Sequence, residues 1–168
     1  YRQPVNTGWH PVVVPGQWSM QGFRVDSACF AGYRRTFAVP DDWMDRQVKL
    51  RFDGVSSECK VYLNGKEIRY HLGGMTPFEI DITRGLKSGA NELALAVRSE
   101  SLADMLGSLT QYAAHQLGGI TRKVTLFAVP RVYLSDVRIE TELDDRYENA
   151  ELQVRVAVSN ATAGTVTD

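Results

Sequence analysis

A chain of 168 residues with a net charge of −1 and 43% hydrophobic residues can build one or two domains with cores of their own, without disulfides or metals to support them. Charges of both signs are scattered, which excludes the electrostatic footprint of a nucleic-acid or anionic-membrane binder, and no apolar run approaches the roughly 20 residues that span a bilayer. Cys29 and Cys59 are too few for a disulfide framework and have no zinc-ligand partner nearby in sequence, so both are expected to be small buried hydrophobes.

The chain starts Tyr1-Arg2-Gln3-Pro4, with neither an initiating Met nor a signal-peptide apolar core, and the expectation is a trimmed piece of a longer protein. The compartment stays open, with the periplasm or secretion placed ahead of the cytoplasm. Trp9-His10-Pro11-Val12-Val13-Val14-Pro15-Gly16 is apolar between prolines and predicts an edge strand or the start of a sandwich. Gln17 to Gly32 has no clear period and forms the longest early connection. Tyr33 to Val39 alternates as a strand that Pro40 stops, and Asp41-Asp42-Trp43-Met44 predicts a turn. From Gln47 to Asp53, Val48, Leu50 and Phe52 are expected to point inward and Gln47, Lys49, Arg51 and Asp53 to water, the pattern of a half-buried antiparallel strand.

Glu58 to Asn91 carries the strongest local signal. Asn64-Gly65 between two strand-forming runs predicts a tight hairpin, because both central positions of such a turn need φ > 0. Gly73-Gly74 and Pro77 shape a loop, Phe78 to Thr83 alternates as a third strand, and Asn91 to Val97 starts a fourth. Ser99 to Leu117 breaks the alternation. Gly118-Gly119 ends that segment, and Ile120 to Val129 predicts a further strand, closed by Pro130.

Beyond Pro130, Val137, Ile139, Thr141 and Leu143 oppose charged neighbours, as do Leu152, Val154, Val156 and Val158. A lone two-stranded hairpin is marginal in water, so this pair is expected to belong to a second sandwich whose other strands lie past Asp168. The fold class expected is all-β: a jelly-roll β-sandwich over residues 1–130, then the beginning of a second β-sandwich over 131–168.

No Gly-x-Ser-x-Gly elbow and no His-Glu-x-x-His site occurs, and neither Gly73-Gly74 nor Gly118-Gly119 has phosphate-loop spacing. Glycoside hydrolysis needs two carboxylates, but Glu79 with Asp81, and Glu58 with Asp53, occupy positions where strands carry solvated acids anyway. His10 and His71 are expected to be structural, while His115 sits in an irregular segment. Asn160-Ala161-Thr162 matches the glycosylation tripeptide and carries little weight. Sugar sites pair aromatic faces with planar polar groups, which singles out Trp18, Arg24 and Asp26 in the first long loop. Asp104, Tyr112, His115 and Gln116 in the second loop offer the same mixture. No cofactor and no metal site is expected in this chain.

The succession Trp9 to Trp18, Gly32 to Pro40, Phe52-Asp53-Gly54-Val55, Val61 to Gly65, His71 to Thr83 and Gly118 to Val124 resembles the N-terminal sugar-binding domain of glycoside hydrolase family 2, which includes β-galactosidases, β-glucuronidases and β-mannosidases. The likeness runs from Trp9 to about Pro130, and the following hairpin is similar to the start of that family's immunoglobulin-like domain. The resemblance implies a galactose-binding-domain-like jelly roll in a retaining exo-β-glycosidase acting on a β-linked glycoside, with both catalytic glutamates in a (β/α)8 barrel of the same polypeptide. Such a barrel takes about 250 residues, so no catalytic residue is expected in this chain. In some β-galactosidases the first domain lends an asparagine and an aspartate to the sugar site. Counted without gaps those positions are Ala28 and Ala113, which do not match, and Asp26 or Asp104 would serve only if the loops are realigned. Three roles follow: a domain that walls the active site of its parent, a stand-alone carbohydrate-binding module, or a structural domain packing on a barrel or a second subunit. Self-association of the parent stays open.

Overall fold

The computed structural model describes residues 8–26, 29–102, 117–162 and 164. Among them nine strands pair throughout as antiparallel neighbours: β1 (Ala31–Ala38), β2 (Gln47–Phe52), β3 (Glu58–Leu63), β4 (Lys66–Leu72), β5 (Phe78–Asp81), β6 (Ala90–Arg98), β7 (Val124–Val129), β8 (Val132–Leu143) and β9 (Ala150–Asn160). A four-stranded sheet runs β1-β6-β3-β4 and a three-stranded sheet runs β5-β2-β7, together making the jelly-roll β-sandwich, while β8 and β9 form a separate two-stranded ribbon.

Period-two alternation builds the core between the two sheets. Val48, Leu50 and Phe52 from β2 and Phe78 and Ile80 from β5 meet Cys59, Val61 and Leu63 from β3 and Leu93, Leu95 and Val97 from β6. Phe52 stacks on Phe78 with ring centroids 4.9 Å apart. The expected tight turn joins β3 to β4, with Asn64 at φ 51° and Gly65 at φ 84°. A bulge follows it, since Val61 faces Arg69 but Tyr62 faces Glu67, leaving Ile68 as the extra residue.

Three expected strands come out differently. Trp9 to Gly16 is not a strand: Pro11 and Pro15 have no N–H to donate, and the segment lies as an extended strap tied by Gly16 N–H to the Ile120 carbonyl at 2.8 Å. The strand expected from Ile120 begins only at Val124, because the Thr121 and Arg122 N–H groups both donate to the Gly54 carbonyl at 3.2 Å. The strand from Phe78 ends at Asp81, whose carboxylate takes the Thr83 N–H at 2.9 Å and turns the chain into the 3-10 helix Thr83–Gly85. Gln47, expected to face water, is only 7% exposed because its amide donates to the Arg131 carbonyl.

The ribbon brings Val137 opposite Val156, Ile139 opposite Val154 and Thr141 opposite Leu152, so one of its faces is apolar. That face is open, with Ile139 and Leu152 each 64% exposed. Asp144 closes the β8–β9 turn by accepting from the N–H groups of Arg146, Glu148 and Asn149 and from the Asn149 side chain, which holds its carboxyl below the ordinary range. The sandwich meets the ribbon through Arg131 Nε, which donates to the Asp45 carbonyl at 3.1 Å, and through Lys49, whose ammonium sits over the Tyr133 ring and reaches its hydroxyl.

Candidate functional site

The first long loop is organised around Trp18. Its carbonyl accepts the N–H groups of Gln21 and Phe23, both at 3.0 Å, so the chain makes the 3-10 turn Ser19–Gln21 and exits through Gly22 in the left-handed conformation. Gln21 staples this turn to the strap: its Oε1 accepts from Val13 N–H at 2.8 Å and its Nε2 donates to the Val13 carbonyl at 3.0 Å. Trp18, a candidate sugar-stacking residue, is instead 6% exposed and belongs to the core, so its ring has no free face for a sugar. Gly118 and Gly119 make room for it. A Cβ on Gly118 would lie 2.1 Å from the indole, and one on Gly119, at φ 118°, would lie 2.8 Å from the Tyr33 hydroxyl. Burial pushes the Tyr33 phenol above its ordinary range.

Beside Trp18 a cavity of about 220 Å³ opens to solvent, lined among others by Trp9, His10, Phe23, Arg24 and Tyr33. Its wall combines an indole that is 40% exposed, an imidazole tilted against Phe23 at 5.9 Å between centroids, and the exposed Arg24. Trp9 lies against Gly32, and the Arg34 guanidinium sits 4.7 Å from its ring centroid. Asp26 is exposed two residues beyond Arg24, and its carbonyl accepts the Cys29 N–H at 2.9 Å. Trp18, buried, and Arg24, exposed, thus line one cavity. Asp104, Tyr112, His115 and Gln116, with Ala28 and Ala113, lie outside the described residues.

Trp9 and His10 were missed as site residues because the strap reads as a strand. The available signal was Gly32, whose missing side chain leaves space for an indole next to an edge strand. His71 is structural, as expected: it stacks on Phe78 at 4.0 Å, lies 3.0 Å from the Gly73 carbonyl through Nε2, and burial lowers its pKa.

The four acids weighed as glycosidase carboxylates are all engaged in the scaffold. Glu79 and Asp53 pair with Arg51 at 3.2 and 2.7 Å, and Asp81 binds Thr83. Glu58 departs from the solvated position expected of it. It is 4% exposed and takes Arg98 Nε at 2.8 Å and the Tyr70 hydroxyl at 3.1 Å. The cysteines split: Cys59 is buried, with its thiol pushed up to about 12 by burial and by Glu58, whereas Cys29 is exposed, against expectation. Among the described residues no three His, Cys, Asp or Glu side chains group as metal ligands.

An antiparallel sandwich with an aromatic and polar cavity, in which the four weighed carboxylates are engaged in the scaffold, agrees with an accessory sugar-binding domain. Residues 24–130 match the profile of the family described as glycosyl hydrolases family 2, sugar binding domain, and the chain belongs to that family. It is 30% identical over 175 residues to a beta-galactosidase of Priestia megaterium, covering 90% of this chain and 17% of that protein. To a putative beta-glucuronidase of Formosa agariphila it is 30% identical, over 92% of this chain and 19% of that protein. Of solved structures, a putative beta-galactosidase from Bacteroides fragilis superposes with a TM-score of 0.78 at 29% identity, covering 94% of this chain and 25% of that one. A Bacteroides uniformis beta-glucuronidase gives 0.75 at 27% identity over 90% of this chain and 19% of that one. The chain therefore spans about a fifth of the curated relatives named here, and those relatives are large glycoside hydrolases with domains beyond it.

Proposed function

We propose that this chain is the non-catalytic N-terminal part of a larger retaining exo-β-glycosidase, and that its first loop walls the active site of that enzyme. The reading is carried by one observation: the exposed indole of Trp9 shares a cavity with His10 and Arg24, while every acid weighed for catalysis is bound into the scaffold. A sugar ring can lie on the indole with its hydroxyls directed to His10 and Arg24. The short share of each relative supports catalysis on a (β/α)8 barrel elsewhere in the same polypeptide, with a β-linked galactoside or glucuronide as substrate. Residues 1–130 then form the sugar-binding jelly roll, and 131–168 begin an immunoglobulin-like sandwich, a division supported by the open apolar face of the ribbon.

A purely structural role is favoured by the burial of Trp18, and the two readings separate in the intact parent enzyme. Trp9→Ala and Arg24→Ala are expected to raise KM for nitrophenyl β-glycosides while the fold is kept. Unchanged kinetics with both variants would leave only the structural role. Calorimetry of this chain alone against galactose, glucuronate and their oligosaccharides tests a stand-alone module, for which millimolar or tighter binding is required.

A further inference from the structure

A second cavity, of about 390 Å³, lies where the sandwich gives way to the ribbon, and three of its wall residues are Arg46, Arg84 and Arg131. They come from three places: the turn before β2, the 3-10 helix after β5, and the link into β8. All three are exposed, and only Arg131 has a carboxylate partner among the described residues. Arg131 pairs with Asp45 at 3.5 Å and donates from Nε to the Asp45 carbonyl at 3.1 Å. The guanidinium groups of Arg46 and Arg84 make no hydrogen bond or ion pair among the described residues. The single acid lining the cavity, Asp81, is occupied, its Oδ1 accepting from the Thr83 N–H at 2.9 Å and the Thr83 hydroxyl at 2.6 Å. Gln47 is committed as well, donating to the Arg131 carbonyl at 3.3 Å. What remains is a cavity wall with three exposed guanidinium groups against the one carboxylate of Asp81, and two of those guanidinium groups have no protein partner among the described residues.

We propose that this cavity is a binding site for a small tetrahedral oxyanion, a phosphate or sulfate group free or carried on a small molecule. Guanidinium forks match oxyanions in geometry as well as charge, and donors arriving from three elements suit a tetrahedral group better than a flat carboxylate, which one fork already satisfies. Because Arg46 and Arg84 belong to the sandwich and Arg131 leads into the ribbon, the bound anion ties the two together.

The test is titration of the chain with inorganic phosphate, followed by calorimetry and by backbone amide shifts. One saturable site is expected, with shifts at residues 46, 47, 83, 84 and 131, and binding that weakens as NaCl is raised, because the cavity is open to screening. Arg46→Ala and Arg84→Ala should each raise the phosphate dissociation constant about tenfold or more, the worth of a charge-assisted hydrogen bond. Neither guanidinium has a partner to lose, so both variants should keep the thermal midpoint of the parent chain measured without phosphate. Sulfate arms distinguish a general tetrahedral site, bound equally, from one that prefers phosphate. Acetate binding as tightly as phosphate at equal ionic strength overturns the proposal, as does phosphate binding that both arginine variants leave unchanged, or no saturable binding at all.

Discussion

The indole of Trp18 rests so closely on Gly118 that a single methyl group there would come within 2.1 Å of Cζ2 and 2.4 Å of Cε2. This contact joins the first loop to the segment leading into β7, and backbone bonds reinforce it, with Trp18 N–H on the Gly118 carbonyl at 3.2 Å and Ser56 N–H on the Gly119 carbonyl at 2.9 Å. Gly118→Ala should therefore destabilise the sandwich by about 2 kcal/mol, within the usual range of overpacking costs, since the added methyl forces the indole out of its core position toward the neighbouring cavity. Adding Trp18→Leu should recover part of the loss. Urea melts of the two single variants and the double variant give the coupling, expected to exceed about 1 kcal/mol for residues in direct contact.

Asn64 and Asn91 hold two turns together. Asn64 Nδ2 donates to Asn91 Oδ1 and to the Gly85 carbonyl, both at 2.9 Å, while Asn91, 1% exposed, accepts the Lys87 N–H and donates to the carbonyls of Lys87 and Gly89. Asn91→Ala removes four hydrogen bonds made by a side chain that is itself buried and should cost about 3 kcal/mol. Gly65→Ala, which strains only the turn at φ 84°, should cost about 1 kcal/mol. Denaturation midpoints that rank the two the other way would show the turn, not the asparagine bridge, to be the anchor of this end of the sandwich.

Much of this framework was legible in the sequence, and what escaped has a common cause. Val48, Leu50 and Phe52 announce their face by alternation, and Asn64-Gly65 announces its turn by the conformations only those residues adopt cheaply, because both signals are local. The choice between Trp9 and Trp18 as the outward-facing indole is not local. It is made by Gly118, Gly119 and Gly32, remote in sequence, which open space for one ring inside the fold and for the other against its edge. Glu58 failed in the same way: alternation correctly puts it on the outer face of its sheet, but only the register Glu58 to Arg98 and Glu58 to Leu72 explains why that position is covered. The sugar-site candidates of the second loop could be chosen by composition alone, without any geometry to rank them.

His71 should give the fold a measurable acid sensitivity. Burial against Phe78 lowers its pKa from 6.5, so in the folded chain it binds a proton less readily than it does unfolded. Stability from this residue is then complete above about pH 6.5, the unfolded value, and falls as pH drops below it toward the folded pKa, because the unfolded chain takes up the proton first. A His71→Phe variant, which keeps the stacking and cannot titrate, should lose less stability than the parent between pH 6.5 and 5.5. Parallel slopes for the two in urea melts across that range would assign the acid sensitivity to other groups.

The ion pair of Glu58 and Arg98 joins directly opposed residues of β3 and β6, with Tyr70 on the second carboxylate oxygen and the Phe30 ring 5.0 Å from the guanidinium. Its two halves are unequal, since Glu58 is 5% exposed at its side chain and Arg98 is 32% exposed. Removing the arginine leaves a carboxylate in a dry position, and Arg98→Ala should cost about 3 kcal/mol. Glu58→Gln leaves a neutral group that still accepts from Tyr70, while the half-exposed guanidinium can turn to water, so its cost should be nearer 1 kcal/mol. The double variant Glu58→Leu with Arg98→Met removes both charges at once and should be close to the parent in stability, because the desolvation cost of the pair disappears with its attraction. Equilibrium unfolding of all three decides the matter: equal losses for the two single changes would mean that the carboxylate is as well solvated as its partner, and that the pair is an ordinary surface bridge worth little to the fold.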